Sequence, residues 1–211
     1  MKALFKEIRA GDVSAVMARL DADPSLIDAT ATAPPKKDDG QSALQVAIKS
    51  GQFDVARLLI VRGADVNFMD TSEINSWTMP VLHDAIRAAV FSTRFGRNRA
   101  LPGTPARIEI MNTAEQFERA FSILHALVAR GADPMKLDSV GNPALWRVVL
   151  DARQVIEQPI SDDLSLDLGR IFELLLDAGT DVDWVDERVG QSIAEQVSDE
   201  PVGQFLQLEQ R

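Results

Sequence analysis

The sequence predicts an all-α fold, a solenoid in which short helical hairpins stack into one domain. Three observations predict it. A block of residues recurs in fixed internal order, its apolar positions fall at helical spacing, and glycines stop the helices at matching places. The clearest copy reads Gly40-Gln41-Ser42-Ala43-Leu44-Gln45-Val46-Ala47, then Gly51, then Val55-Ala56-Arg57-Leu58-Leu59-Ile60, then Arg62-Gly63-Ala64-Asp65. A hairpin of this size cannot bury its own apolar face, so neighbouring copies must cover it.

Taken in order, the chain divides into five units. Residues 1–28 form an N-terminal cap, because Gly11-Asp12-Val13-Ser14-Ala15-Val16-Met17-Ala18-Arg19-Leu20 reads as the middle of a unit whose leading turn is missing. Residues 29–39 connect it to the rest. Pro34-Pro35 stiffens this stretch, Lys36-Lys37-Asp38-Asp39 solvates it, and an elongated turn is the simplest reading. The second unit spans 38–70. Ser42 sits where a hydroxyl caps its first helix. In its second helix Val55, Leu58, Leu59 and Arg62 fall at helical spacing and Gly63 is the stop, with Leu58 expected to face the stack. The third unit spans 71–137. Its first helix opens at Val81-Leu82-His83-Asp84-Ala85-Ile86, and Thr113-Ala114-Glu115-Gln116 is a capping box for its second, which runs to Arg130 before Gly131-Ala132-Asp133. The fourth unit spans 138–185, from Pro143-Ala144-Leu145 to a helix carrying Ile171, Leu174, Leu175 and Ala178, stopped by Gly179-Thr180-Asp181. A C-terminal cap, 186–211, opens at Gly190-Gln191-Ser192-Ile193, where Ser192 again caps. Pro201 fits the first turn of a terminal helix holding Phe205, Leu206 and Leu208.

This grammar resembles the ankyrin repeat, a finger-like turn followed by two antiparallel helices, and the resemblance covers nearly the whole chain. It implies a solenoid of about five units, the first and last being caps. It also implies a concave surface of finger tips and inner helices, which such proteins commonly use for recognition. His83 holds the family's Leu-His-x-Ala position, so the resemblance implies a histidine whose hydrogen bonds tie neighbouring fingers. Trp146 stands at the corresponding position of the fourth unit and is expected in the core or between repeats.

The spacing is uneven. The helix-stopping glycines Gly63, Gly131 and Gly179 lie 68 and 48 residues apart, against a period of about 33 in this family. The third and fourth units therefore carry insertions, mostly within 91–113 and 151–167, both between first and second helix. Stacking should bring them out side by side. The first has Arg94, Arg97, Arg99 and Arg107 against Glu109; the second has Asp151, Glu157, Asp162, Asp163 and Asp167 against Arg153. Such loops could pair with each other, meet an acidic partner, or stay solvated. Phe91, Phe95, Leu101, Ile108 and Ile110 argue against full disorder. The expected pairing is Arg94, Arg97 or Arg99 with Asp162 or Asp163, as an exposed contact.

Candidate partner contacts follow from the fingers and this edge. Phe68, Met69 and Trp77 lie in an extended finger, 67–80; Val140 and Asn142 lie in the next; Trp184, Glu187 and Arg188 lie in the last; and Arg94, Arg97 and Arg99 lie on the inserted edge. Tryptophan is enriched among binding hot spots, although these side chains could equally pack between fingers.

Composition narrows the function. Hydrophobic residues are 45% of 211, enough for a continuous core, and no apolar run reaches a membrane span. The net charge of −10 disfavours nucleic acid and suits a basic protein partner. There is no cysteine, hence no disulfide or thiolate chemistry; together with the mixed-charge N-terminus this favours the cytoplasm. The two histidines, His83 and His125, have no zinc spacing. Asp162-Asp163 falls in a loop and Asp181-Val182-Asp183 in a turn, and there is no phosphate loop or serine elbow. The expectation is a non-catalytic module that binds another protein, with no cofactor, metal, nucleic acid or membrane. A stoichiometric inhibitor or immunity protein that neutralises a toxin or effector is its concrete form. An adaptor or assembly scaffold is the alternative, and an enzyme using carboxylates of the inserted loops is the competing class.

Overall fold

Helices alternate with glycine- or hydroxyl-marked turns from the first residues onward, in a computed structural model that describes residues 1–100, 103–105 and 107–206. Leu101 and Leu208, both used above, lie outside the described residues. The first helix, α1 (Lys2–Ala10), ends at Gly11 in the left-handed region, and α2 (Val13–Ala22) starts on Asp12, whose carboxylate accepts the Ala15 N–H at 2.9 Å. The pair α3 (Ala43–Lys49) and α4 (Phe53–Val61) follows, then α5 (Val81–Phe91). An antiparallel hairpin, β1 (Gly96–Asn98) with β2 (Ile108–Ile110), separates α5 from α6 (Ala114–Ala129). Next come α7 (Ala144–Ala152), α8 (Asp162–Asp177), the short pair β3 (Val185–Asp186) and β4 (Gln191–Ser192), and α9 (Ile193–Gln196).

Each helix packs on its successor within a pair: α1 on α2, α3 on α4, α5 on α6, α7 on α8. Between pairs, α1, α3, α5 and α7 touch in sequence and form an inner layer, while α2, α4, α6 and α8 do the same and form an outer one. One apolar core runs between the layers from Leu4 to Leu206. The expected caps are present. Ser42, Thr113 and Ser192 each accept from the N–H three residues on, and Gln45, Gln116 and Glu195 close the reciprocal bonds.

Several expectations need correction. In α4 it is Leu59 that is fully buried, beside Val55, Ala56 and Ile60, whereas Leu58 is half-buried at the flank of the apolar arc. Leu175 is fully buried as expected. Asp162-Asp163 is not loop: Ser161 caps the Leu164 N–H at 3.2 Å, so the two aspartates start α8 and favour its N-terminal dipole. Part of 151–167 is thus the start of a helix, and part of 91–113 is a β-hairpin. Asp38 is not solvated; it is 2% exposed and accepts from Arg9 at 2.8 Å. The segment from Pro201 is a 3₁₀ turn, Pro201–Phe205, held by Phe205 stacking on Phe172 at 5.3 Å.

The stretches 91–113 and 151–167 do meet, and Arg94 joins them. Arg94 donates to Asp163, and more extensively to Asp167, from Nη2 at 2.7 Å, Nε at 3.1 Å and its backbone N–H at 2.9 Å. Asp167 was not the expected acceptor, and its carboxylate is buried, not exposed. Arg97 lies over the Phe95 ring at 5.3 Å, and Arg99 pairs within the hairpin with Glu109 at 3.0 Å. Phe95 is buried and Phe91 packs on the core, so apolar contact orders the edge.

Candidate protein-binding face

Four extended fingers precede α3, α5, α7 and α9, and each closes on itself through backbone hydrogen bonds. In the first, Ala31 N–H donates to the Gln41 carbonyl at 2.7 Å and Gly40 N–H to the Ala31 carbonyl at 2.9 Å. In the second, Asp70 N–H donates to Met79 at 3.2 Å and Val81 N–H to Phe68 at 3.1 Å. In the third, Asp138 N–H donates to the Asn142 carbonyl at 3.0 Å, and its side-chain Oδ1 accepts from the N–H groups of Val140 and Asn142 at 3.0 and 2.9 Å. The fourth is the β3–β4 pair.

The fingers are also tied to each other. Thr71 N–H donates to the Gly40 carbonyl at 3.0 Å, and Ser72 Oγ to Asp39 at 2.9 Å. Ser139 N–H donates to the Thr78 carbonyl at 2.9 Å, and Trp77 Nε1 to Asp138 at 2.9 Å. Arg188 donates to the Val140 carbonyl at 2.9 Å and to Asn142 Oδ1 at 3.1 Å, while its pairing with Asp186 holds that carboxyl below the usual range. Bonds of this kind fix the fingers as one surface before anything binds.

The candidate residues divide on this surface. Trp77 and Val140 are 40% and 45% exposed, and Glu187 and Arg188 are exposed. Asn142 is 5% exposed and spends its side chain on Asp138 and Arg188, so it positions the finger and does not present a contact. Phe68 and Trp184 pack partly on the core and Met69 is half-buried in a bridge with Pro80. Arg94, Arg97 and Arg99 belong to the inserted edge, and Arg94 is consumed there. The sequence reading missed Ile74, Leu137, Val185 and Val189, which are exposed apolar residues of the same fingers. The available signal was apolar residues in turn segments, where helical periodicity has no use for them.

Between the second finger and the inner layer lies a groove of about 590 Å³, walled by Ile48, Phe53, Trp77, Met79, Ala88 and Phe91, with Lys49, Asp84 and Arg87 as its charged groups. Asp84 accepts from Gln45 Nε2 at 3.0 Å, and burial pushes its carboxyl up to about 7 against the pull of Lys49 and of the Gln45 hydrogen bond. Beyond it Arg87 donates to Asp151 at 2.8 Å and Arg147 to the same oxygen at 2.6 Å. Burial pushes Asp151 up despite both arginines. The Arg147 guanidinium sits 5.1 Å from the Trp77 ring.

His83 departs from what the family resemblance implies. Its ring is fully buried and neither nitrogen has a hydrogen-bond partner among the described residues. Burial lowers its pKa to about 4, with Asp138 opposing and Arg147 adding to the shift. Finger-to-finger ties are carried instead by Trp77, Ser139 and Arg188. Trp146 is buried as expected, under the Arg153 guanidinium. Among the described residues no cluster of three histidine, aspartate or glutamate side chains could hold a metal ion, and no helix is long and apolar enough to cross a membrane.

Residues 39–71 match the family model described as Ankyrin repeat. The match begins and ends on the two fingers joined through Gly40 and Thr71. Comparison with curated proteins gives no match. Ankyrin repeats generally mediate protein–protein interaction, and this chain carries such a repeat.

Proposed function

We propose that this ankyrin-repeat protein binds another protein through its finger face, without catalysis, as a single solenoid. In this reading residues 1–28 and 186–211 cap units at 38–70, 71–137 and 138–185, the last two enlarged by insertions. The observation that carries it is a set of exposed apolar side chains in the fingers: Ile74, Trp77, Leu137, Val140, Val185 and Val189. Apolar side chains presented on interlocked fingers suit a protein contact better than solvent. Glu187 and Arg188 supply polar contacts at the far end. The net charge of −10 favours a basic partner, which it would draw in and orient. The absence of cysteine supports a cytoplasmic setting.

A stoichiometric inhibitor is the concrete form we favour, because interlocked fingers on an acidic chain suit a single tight partner. The test is capture from the native host followed by light scattering and an activity assay of the captured protein. A 1:1 complex with the partner's activity abolished supports inhibition. A complex bridging two different proteins supports the adaptor reading instead. Substrate turnover by the purified chain alone would overturn both.

A further inference from the structure

The groove beside the second finger contains a carboxyl with no cation on it. Asp84 is 4% exposed, yet among the described residues its side chain accepts only from the neutral amide of Gln45. The same amide nitrogen donates to the Met79 carbonyl at 3.0 Å, so Gln45 is fixed and holds the carboxyl in place. The charged groups around Asp84 are Lys49 from α3, Asp70 from the second finger and Arg87 from α5 itself. Each cation is engaged elsewhere. Lys49 Nζ donates to the Lys37 carbonyl at 3.2 Å, and Arg87 to Asp151, which Arg147 of α7 also serves. Among the described residues no cation donates to Asp84.

We propose that Asp84 receives the ammonium of a lysine side chain from the bound protein, with the lysine's aliphatic stem lying between Ile48, Met79 and Ala88. This deepens the finger-face reading and rests on it. The chemistry favours lysine. Gln45 occupies one carboxylate oxygen, which disfavours the two-pronged grip of a guanidinium but leaves a point contact for an ammonium. The walls match a four-carbon stem, which would run beside the rings of Trp77 and Phe91, each already under an arginine guanidinium. The buried carboxyl, near 7 when the groove is free, must give up its proton as the lysine enters. Binding therefore tightens with pH, by about tenfold from pH 6 to 8, as the carboxylate fraction rises.

The test uses the whole protein and a capped amino acid. N-acetyl-lysine methylamide is titrated while the indole N–H resonance of Trp77 is followed by NMR, with W77F to assign it. Saturation in the range of about 1–100 mM is expected. N-acetyl-norleucine methylamide, which keeps the stem and lacks the amine, should bind at least several-fold more weakly, and the glutamate analogue weaker still. D84N should remove the preference and the pH dependence. This variant should fold, since burial already favours the uncharged group. No shift with lysine, equal shifts with norleucine, or an unchanged preference in D84N overturns the proposal. If the captured protein partner holds D84N as tightly as the unsubstituted chain, this inference fails while the finger-face reading stands.

Discussion

Two adjacent buried residues, His83 and Asp84, give the stability of this protein opposing responses to pH. The folded-state pKa of Asp84, about 7, lies above its ordinary 3.8, so the folded protein keeps a proton that the unfolded chain loses. Stability from this site is complete below pH 3.8 and is lost as pH rises through 7. His83 falls from 6.5 to about 4, so its contribution is complete above 6.5 and is lost as pH falls through 4. Urea midpoints between pH 4 and 8 check both signs. D84N should gain on the unsubstituted protein as pH rises, and H83Q should flatten the acid side; a constant difference across the range would contradict either. A third residue acts through the backbone. Gly40 has φ +74°, and a β-carbon there would collide with the Ser72 backbone in the next finger. G40A should therefore cost about 1–3 kcal/mol and weaken the tie between fingers, read as faster exchange of the Thr71 amide.

At the scale of elements, burial decides which contacts matter. Arg94 joins the hairpin to α8 through Asp167, whose side chain is 1% exposed. Replacing Arg94 with alanine leaves that carboxylate buried and unpaired, and should cost about 3 kcal/mol with release of the hairpin. R99A removes a pair exposed on both sides and should cost about 0–1 kcal/mol. Equal losses from thermal melts of the two variants would contradict this ranking. L59A and L175A should each cost about 2–5 kcal/mol, and L58A less, because its site is half open. The boundaries of α6, the caps at Ser42, Thr113 and Ser192, and the meeting of 91–113 with 151–167 were legible because each rests on local hydrogen-bonding chemistry or topology. The short hairpin was not, since Gly96–Asn98 and Ile108–Ile110 have too few residues to display alternation. Nor was the choice of Asp167 over Asp162, which depends on how far α8 extends toward its N-terminus.

Across the whole molecule, the recurring block foretold paired helices in two layers, because helical spacing and glycine stops are properties of the chain itself. The site was less legible. Trp77 and Val140 are exposed in their fingers, but Asn142 reads the same in sequence and is buried. Its fate is set by Arg188, which reaches it from 46 residues away. Asp84 is likewise invisible as a site without the fold, since only the finger packed above it makes a groove. The central claim is that a partner protein covers the interlocked fingers and the inner layer. Hydrogen exchange of the captured complex against the free protein tests this most directly. Protection should appear in 67–80, 134–143 and 181–192 and along α3, α5 and α7. Protection confined to α4, α6 and α8, with the fingers exchanging as in the free chain, would contradict it.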